Sequence, residues 1–501
     1  MKTDSLKKRY AIKLLANIIT GIINAFLIAI VPKALGPVTY GHFTFLQQFF
    51  NQVVSFLDAS TSTAFFTKLS ADNDRRELIK AYSIFSLILL FILFISVFLI
   101  EKLGYSQSLL TGIPDDYIYL GLWFCFLTWL TQVYIKISDA YALTVSVEII
   151  KIMHKLLMLG VLLYIIDFLS FDLSIYYYFH FLSLFSFICV LTILFGKRKI
   201  IIRSTFSSTT DYKKIISEFY LFCSPIFLFN IIAISIGIFD IWLLQKTSGS
   251  VQTGYYGLAY SIAAMCFLFT SAMTPVITRE FSKSFAENDL QEISRLFERY
   301  VPLLYAVAAY FSVFIAFEAE SLLAIFTDER FKDVCFVLVI IAFYPLHQTY
   351  GQINAALFFA TGDTIKYRNI GLVSSFVGLI FSYLFIYKLE LAAVGFAYKM
   401  VITQFLSVNL QLYFNVKKLK LKFINFLSHQ IYTILFFSVC AYISSTAINI
   451  DNHVGINFIV TGVLYSALVI LNIFIFPAVF GVNKPQIMAL LTNVKKKLYN
   501  F

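Results

Sequence analysis

Apolar runs long enough to cross a bilayer recur along almost the whole chain, and nothing else in the sequence constrains the fold so tightly. A transmembrane helix needs roughly 20 apolar residues, and in lipid every backbone N–H and C=O must be satisfied inside the protein. Runs of about that length lie near 11–32, 42–66, 81–100, 118–137, 152–169, 174–195, 219–245, 255–278, 301–317, 335–360, 371–387, 393–415, 428–448 and 456–480. They predict an all-α, polytopic transmembrane protein of about fourteen spans. Composition agrees: 59% of the 501 residues are hydrophobic and only 13% are charged, more apolar surface than a soluble interior of this size can hide. The first run, Ala11–Val31, follows the basic stretch MKTDSLKKRY. It is too long for the apolar core of a signal peptide and lacks a small-residue cleavage site, so it reads as the first span. Lys151, His154 and Lys155 crowd the start of the fifth span.

Charge orients the spans, because cytoplasmic loops collect Lys and Arg. With the N-terminus in the cytoplasm, most of the 39 basic residues fall in cytoplasmic segments. Outside lie only Lys33, Lys102, Lys246, Arg330, Lys332 and Lys388, and Lys399 sits within a span. Dropping one span would invert everything downstream and destroy the asymmetry. Both termini are therefore expected in the cytoplasm. A net charge of +11 distributed this way suits anionic lipid headgroups rather than nucleic acid.

Two hairpins resemble each other. LGPVTYGHF (35–43) precedes one long span and SADNDRRELIK follows it; TSGSVQTGYY (247–256) and FAENDLQEISR flank another. Gly36 and Gly249, Val38 and Val251, and Gly41 and Gly254 are each 213 residues apart. Both hairpins leave and re-enter on the same side, which predicts parallel repeats. The expected domains are an N-terminal six-helix lobe (1–200), a second six-helix lobe (201–424), and an extra helix pair with a basic tail (425–501). Two such bundles would face each other across a central cavity and rock to give alternating access.

Polar groups within spans must face protein or water. In the second span Thr44, Gln47, Gln48, Asn51, Gln52, Ser55, Asp58 and Ser62 share an arc of roughly 140° at 100° per residue. Lys13, Asn17, Thr20, Gly21 and Asn24 do the same in the first span. Tyr344, His347, Gln348, Gly351 and Asn354 lie in the tenth, where Pro345 predicts a kink. The seventh adds Asn230 and Asp240, and the twelfth Lys399, Thr403 and Gln404. These residues either line a wet cavity or hydrogen-bond between helices. For Asp240 and Lys399 a structural ion pair is the alternative, and for His347 a place in the core.

No Walker A sequence, HExxH, GxSxG or metal-ligand cluster is present, so neither enzyme chemistry nor a bound metal or cofactor is expected. Cys125, Cys189, Cys223, Cys266, Cys335 and Cys440 sit in apolar stretches as packing residues. Asp72-Asn73-Asp74 has the form of a metal-binding DxD, but Glu287-Asn288-Asp289 stands at the matching place of the second repeat. Helix capping explains both. The longest external loops, 101–117 and 318–334, are short for a membrane polymerase.

LGPVTYGHFTFLQQF, FDIWLLQKTSGSVQTGYYGLAYSIA, TPVITREFSK and LAAVGFAY resemble the polysaccharide-transport (Wzx-type) flippases of the MOP, MATE-like superfamily. The resemblance covers most of the chain, with the last two spans outside the shared twelve. It implies a bacterial inner-membrane protein that moves an undecaprenyl-diphosphate-linked oligosaccharide outward, alongside the polysaccharide polymerase and chain-length regulator. Asn17, Asn24, Gln48, Asn51, Gln52, Asn230, Gln348, Asn354 and Gln404 would then meet sugar hydroxyls, and Lys13, Lys68, Lys136, Arg279 and Lys399 are candidates for the diphosphate. Because the superfamily includes ion-coupled exporters, H+ or Na+ antiport is one energy source, with Asp58, Asp240 and His347 as the coupling candidates. The competing readings are a multidrug exporter of the same superfamily, a lipid II flippase and, less well supported, a membrane enzyme of polysaccharide assembly.

Overall fold

The computed structural model describes residues 6–72, 75, 77–198, 200, 211–447 and 454–481. Helix is the only regular structure among them. In chain order the helices are α1 (Leu6–Asp58), α2 (Thr61–Ala71), α3 (Glu77–Lys102), α4 (Ser106–Leu109), α5 (Asp115–Ala140), α6 (Thr144–Phe168), α7 (Leu173–Lys197), α8 (Tyr212–Ala263), α9 (Phe267–Ala286), α10 (Leu290–Phe317), α11 (Ala319–Phe326), α12 (Val334–Ile341), α13 (Tyr344–Ala360), α14 (Thr364–Ser382), α15 (Ala392–Lys418), α16 (Phe423–Ala447) and α17 (Val454–Asn472). Among the described residues, twelve helical stretches are long and apolar enough to cross a membrane. Two of these, Leu15–Asp58 with 44 residues and Phe227–Cys266 with 40, would measure about 66 and 60 Å at 1.5 Å per residue. That is about twice the hydrocarbon thickness, so each supplies two crossings and the total returns to about fourteen.

Each double-length helix breaks at one glycine. Gly36 has φ 75° and ψ 167°, and Gly249 has φ 78° and ψ 179°, a conformation that a Cβ would forbid. The sequence pattern predicts a loop there; the structure keeps helix on both sides of a single residue. Pro37 fits this because it opens the following limb, where a missing N–H costs nothing. The breaks also meet. An ideal Cβ on Gly41 would stand 1.8 Å from the Ser250 carbonyl oxygen, and one on Gly254 would stand 2.8 Å from that of Pro37. Under the repeat offset, Gly41 corresponds to Gly254 and Pro37 to Ser250, so the contact is reciprocal.

Other turns match as well. Leu143 N–H bonds to Ser138 O at 2.8 Å past left-handed Ala142, and Asp363 N–H bonds to Phe358 O at 2.9 Å past left-handed Gly362, closing α5 and α13 with the same motif. Asp289 caps α10 by accepting from Glu292 N–H at 2.8 Å, as the capping reading requires. Asn73 and Asp74 lie outside the described residues. The kink expected at Pro345 is the α12–α13 break.

The chain forms two compact units, Met1–Gly254 and Tyr255–Phe501. The first therefore includes most of α8, which the repeat assigns to the second lobe. In this unit Phe65, Leu69, Tyr82, Ile137, Phe187 and Phe195 form a buried core that also takes in Ile215 at the start of α8. In the second unit the core of α9, α10, α13 and α15 continues into the last helix pair through Phe426, Phe437, Tyr465 and Val469. Tyr465 donates to the Tyr310 carbonyl at 2.9 Å, and the Tyr310 and Ser466 hydroxyls meet at 2.6 Å. The extra pair is thus seated on α10.

Candidate functional site

In the first unit, the polar residues of α1 divide by partner. Asn24, Asn51 and Ser55 are exposed, whereas Thr44 and Asp58 are buried and Asn17, Gln47, Gln48 and Gln52 lie between. Asn24 precedes the Gly36 break by about 18 Å of helix. Exposed amides at such depth are costly against lipid and favour a water-filled space. Gln52 lies against Gly237 of α8. Asn230, also on α8, donates to Ser60 Oγ at 2.8 Å.

Asp58 ends α1 and organises the turn into α2. Its carboxylate accepts from the Thr61 hydroxyl (3.1 Å), the Ser62 N–H (3.1 Å), the Ser62 hydroxyl (2.9 Å) and the Tyr82 hydroxyl (2.9 Å). Lys136 donates to Ser62 Oγ at 2.7 Å. Residues 59 and 60 both have positive φ, and this convergence of donors holds the strained turn in place. Below it, Arg75 bonds Glu218 at 2.8 Å while Lys68 stands 3.9 Å from the same carboxylate. The Arg75 hydrogen bond, which outweighs partial desolvation, holds the Glu218 carboxyl below the usual range.

α6 begins at Thr144, not near 152. Lys151 and Lys155, read from the sequence as flanking charges, are therefore inside the helix, and Lys155 is at its middle. Lys151 pairs with buried Glu148 at 3.0 Å. Lys155 donates to Asn24 Oδ1 at 3.4 Å.

In the second unit, α13 and α15 pack together through amides. Gln404 donates to Gln348 at 2.6 Å, and Asn415 donates to fully buried Asn354 at 2.9 Å. Asn354 thus joins helices. His347 is buried between Tyr305 and Phe405, and its Nδ1 has no hydrogen-bond partner. Lys399 is buried with its ammonium 5.6 Å from the Phe396 ring. Asp240 is buried in the first unit and Arg279 is exposed in the second. The Lys13 side chain lies outside the described residues. Tyr432, Phe436, Val439 and Ile443 of α16, Leu468 of α17 and Phe476 just after it line an open groove of about 290 Å³ whose wall is almost wholly apolar; Asn472 is its amide. Among the described residues no cluster of His, Cys, Asp or Glu could hold a metal ion.

This arrangement is that of a multi-pass membrane protein with a MOP-type, MATE-like helical fold. Over 91% of this chain and 98% of the other, it superimposes on a structure of the lipid II flippase MurJ in an inward closed conformation, with TM-score 0.66 and 16% identity. An inward-facing MATE family multidrug resistance transporter of the MOP superfamily covers 84% of this chain and 96% of its own, with TM-score 0.61 and 16% identity. An outward-facing MATE family multidrug resistance transporter of the MOP superfamily has TM-score 0.56 at 17% identity, over 83% of this chain and 96% of its own. No family model and no curated protein sequence matches the chain.

Proposed function

We propose that this protein is a flippase carrying an undecaprenyl-diphosphate-linked oligosaccharide, a repeat unit of O-antigen, capsule or another surface polysaccharide, from the cytoplasmic to the periplasmic leaflet of a bacterial inner membrane by alternating access. The observation that carries this reading is the apolar groove on α16 and α17. A transporter of soluble cations has no need of it, whereas a polyprenyl tail must stay in an apolar setting while its headgroup crosses. The exposed amides of α1 suit that headgroup, because sugar hydroxyls exchange hydrogen bonds readily with Asn and Gln. The likeness to a lipid II flippase supports the class, and the repeat-unit specificity rests on the sequence motifs. With both termini cytoplasmic, each negative charge moved outward gains about 2.3 kcal/mol per 100 mV. An anionic headgroup therefore has a driving force without ion coupling; Asp58, Asp240 and His347 are the residues to test for H+ or Na+. The polymerase and chain-length regulator of the same glycan are the expected partners.

Deleting the gene is expected to strip the surface glycan and leave lipid-linked repeat units on the cytoplasmic side. Intact glycan with new sensitivity to cationic dyes would instead establish the multidrug exporter reading.

A further inference from the structure

We propose that Lys155 is a phosphate-binding cation in the membrane interior, completed by Thr20 and Asn24 of α1. On the helical wheel of α6, the exposed residues Ile149, Met153, Leu156, Leu157, Leu163 and Tyr164 form the lipid face. At 100° per residue Lys155 lies opposite the centre of that arc, in line with buried Met158 and Leu162. It cannot reach lipid headgroups along the outer surface, because it is at the middle of a 25-residue helix. α6 packs along α1, and there the Lys155 ammonium meets only the neutral Asn24 amide oxygen at 3.4 Å. Among the described residues no carboxylate pairs with it, since Glu148 is taken by Lys151. One turn from Asn24 on the same face, the buried Thr20 hydroxyl has no partner.

A lone ammonium at that depth is expensive unless a counter-anion or water meets it. The donors around it are an ammonium, an amide NH2 and a hydroxyl. They match the several acceptor oxygens of a phosphate, and no acceptor carboxylate opposes them. Lys151, one turn away, is neutralised by Glu148, which leaves Lys155 as the uncompensated charge of this face. The anion's identity as a substrate diphosphate rests on the flippase reading; the existence of the site does not.

The test uses the full-length Thr20→Cys protein, which keeps Lys155, in phosphatidylcholine nanodiscs, with the native-cysteine chain as blank. The rate of modification by aminoethyl methanethiosulfonate is measured with inorganic pyrophosphate, with undecaprenyl diphosphate, and with phosphatidylglycerol in the disc. Slowing by any of the three supports a phosphate site, and the effective one names the source: a free anion, the carrier diphosphate or a membrane headgroup. An introduced thiol that does not react, or that none of the three protects, overturns the proposal. In cells, Lys155→Gln is expected to lower glycan export by about tenfold or more, the worth of a charge-assisted hydrogen bond. Lys155→Arg should retain export, and modification of the Lys155→Cys variant, which restores a cation, should rescue it. Where the gene deletion removes the glycan, full export by Lys155→Gln at normal abundance also overturns the proposal. Should pyrophosphate protect the introduced thiol while the deletion strain keeps its glycan, the flippase reading falls and the anion site stands.

Discussion

Four donors converge on the Asp58 carboxylate, and asparagine at that position would turn one of its two acceptors into a further donor. Asp58→Asn is therefore expected to cost about 1–3 kcal/mol, the penalty for stranding buried hydrogen-bonding groups. The measurement is folded abundance and melting temperature in detergent. A variant with wild-type abundance and lost transport would point to ion coupling at Asp58 instead. The 3.6-residue stripe makes Asp58 legible in the sequence, but Tyr82 and Lys136 come from other helices and no local pattern announces them. Lys155 is hidden for a different reason. Hydropathy starts a span where charges stop, whereas backbone hydrogen bonding carries α6 back to Thr144. Starting the helix at Thr144 is what moves Lys155 from the first turn to the middle of the span.

Among the elements, the broken helix α1 makes the sharpest demand on sequence. Gly41→Ala would drive a methyl group into the Ser250 backbone, so it should lose most of the folded protein. Gly160→Ala, in mid-helix with nothing within 4 Å of the added carbon, should be neutral or stabilising by up to about 1 kcal/mol. Equal melting temperatures for the two variants would mean that the close crossing is absent. The Arg75–Glu218 bridge ties the α2–α3 connection to α8. Because the folded-state value of Glu218 is depressed, the stability it adds is present above about pH 4.5 and fades as pH falls through the lowered value. Limited proteolysis near residue 75 should accelerate below about pH 4.5, and Arg75→Gln should show that acceleration already at neutral pH. Indifference to both would remove the bridge from the account.

For the molecule as a whole, hydropathy is enough to read an all-helical, multi-pass architecture, because lipid allows so few; the two compact units, Met1–Gly254 and Tyr255–Phe501, do not follow the repeat, since most of α8 belongs to the first. The seating of the added pair is not legible from hydropathy, since the buried face of α16 carries Gln430, Thr433 and Ser444 while Ile431, Leu435 and Val439 are exposed. Removing the pair would strip Phe437 and Tyr465 from the core of the second unit and is expected to abolish folding. The informative change is Val439→Trp, which fills the groove from an exposed position. Abundance should hold while export of lipid-linked repeat units falls by about tenfold, as expected when an apolar contact surface is lost. Unimpaired export would put the polyprenyl tail elsewhere.

The reciprocal crossing of Gly41 on Ser250 and Gly254 on Pro37 has a consequence for ancestry. In a symmetric dimer, one mutation strikes both copies of an interface at once, and a bulky residue at such a glycine would clash twice. Once two copies share a chain, each glycine can mutate alone, yet each still faces the backbone of the other repeat, which no side-chain substitution can trim. Duplication therefore released the helix faces to specialise while leaving this crossing under the constraint it would have carried as a homodimer.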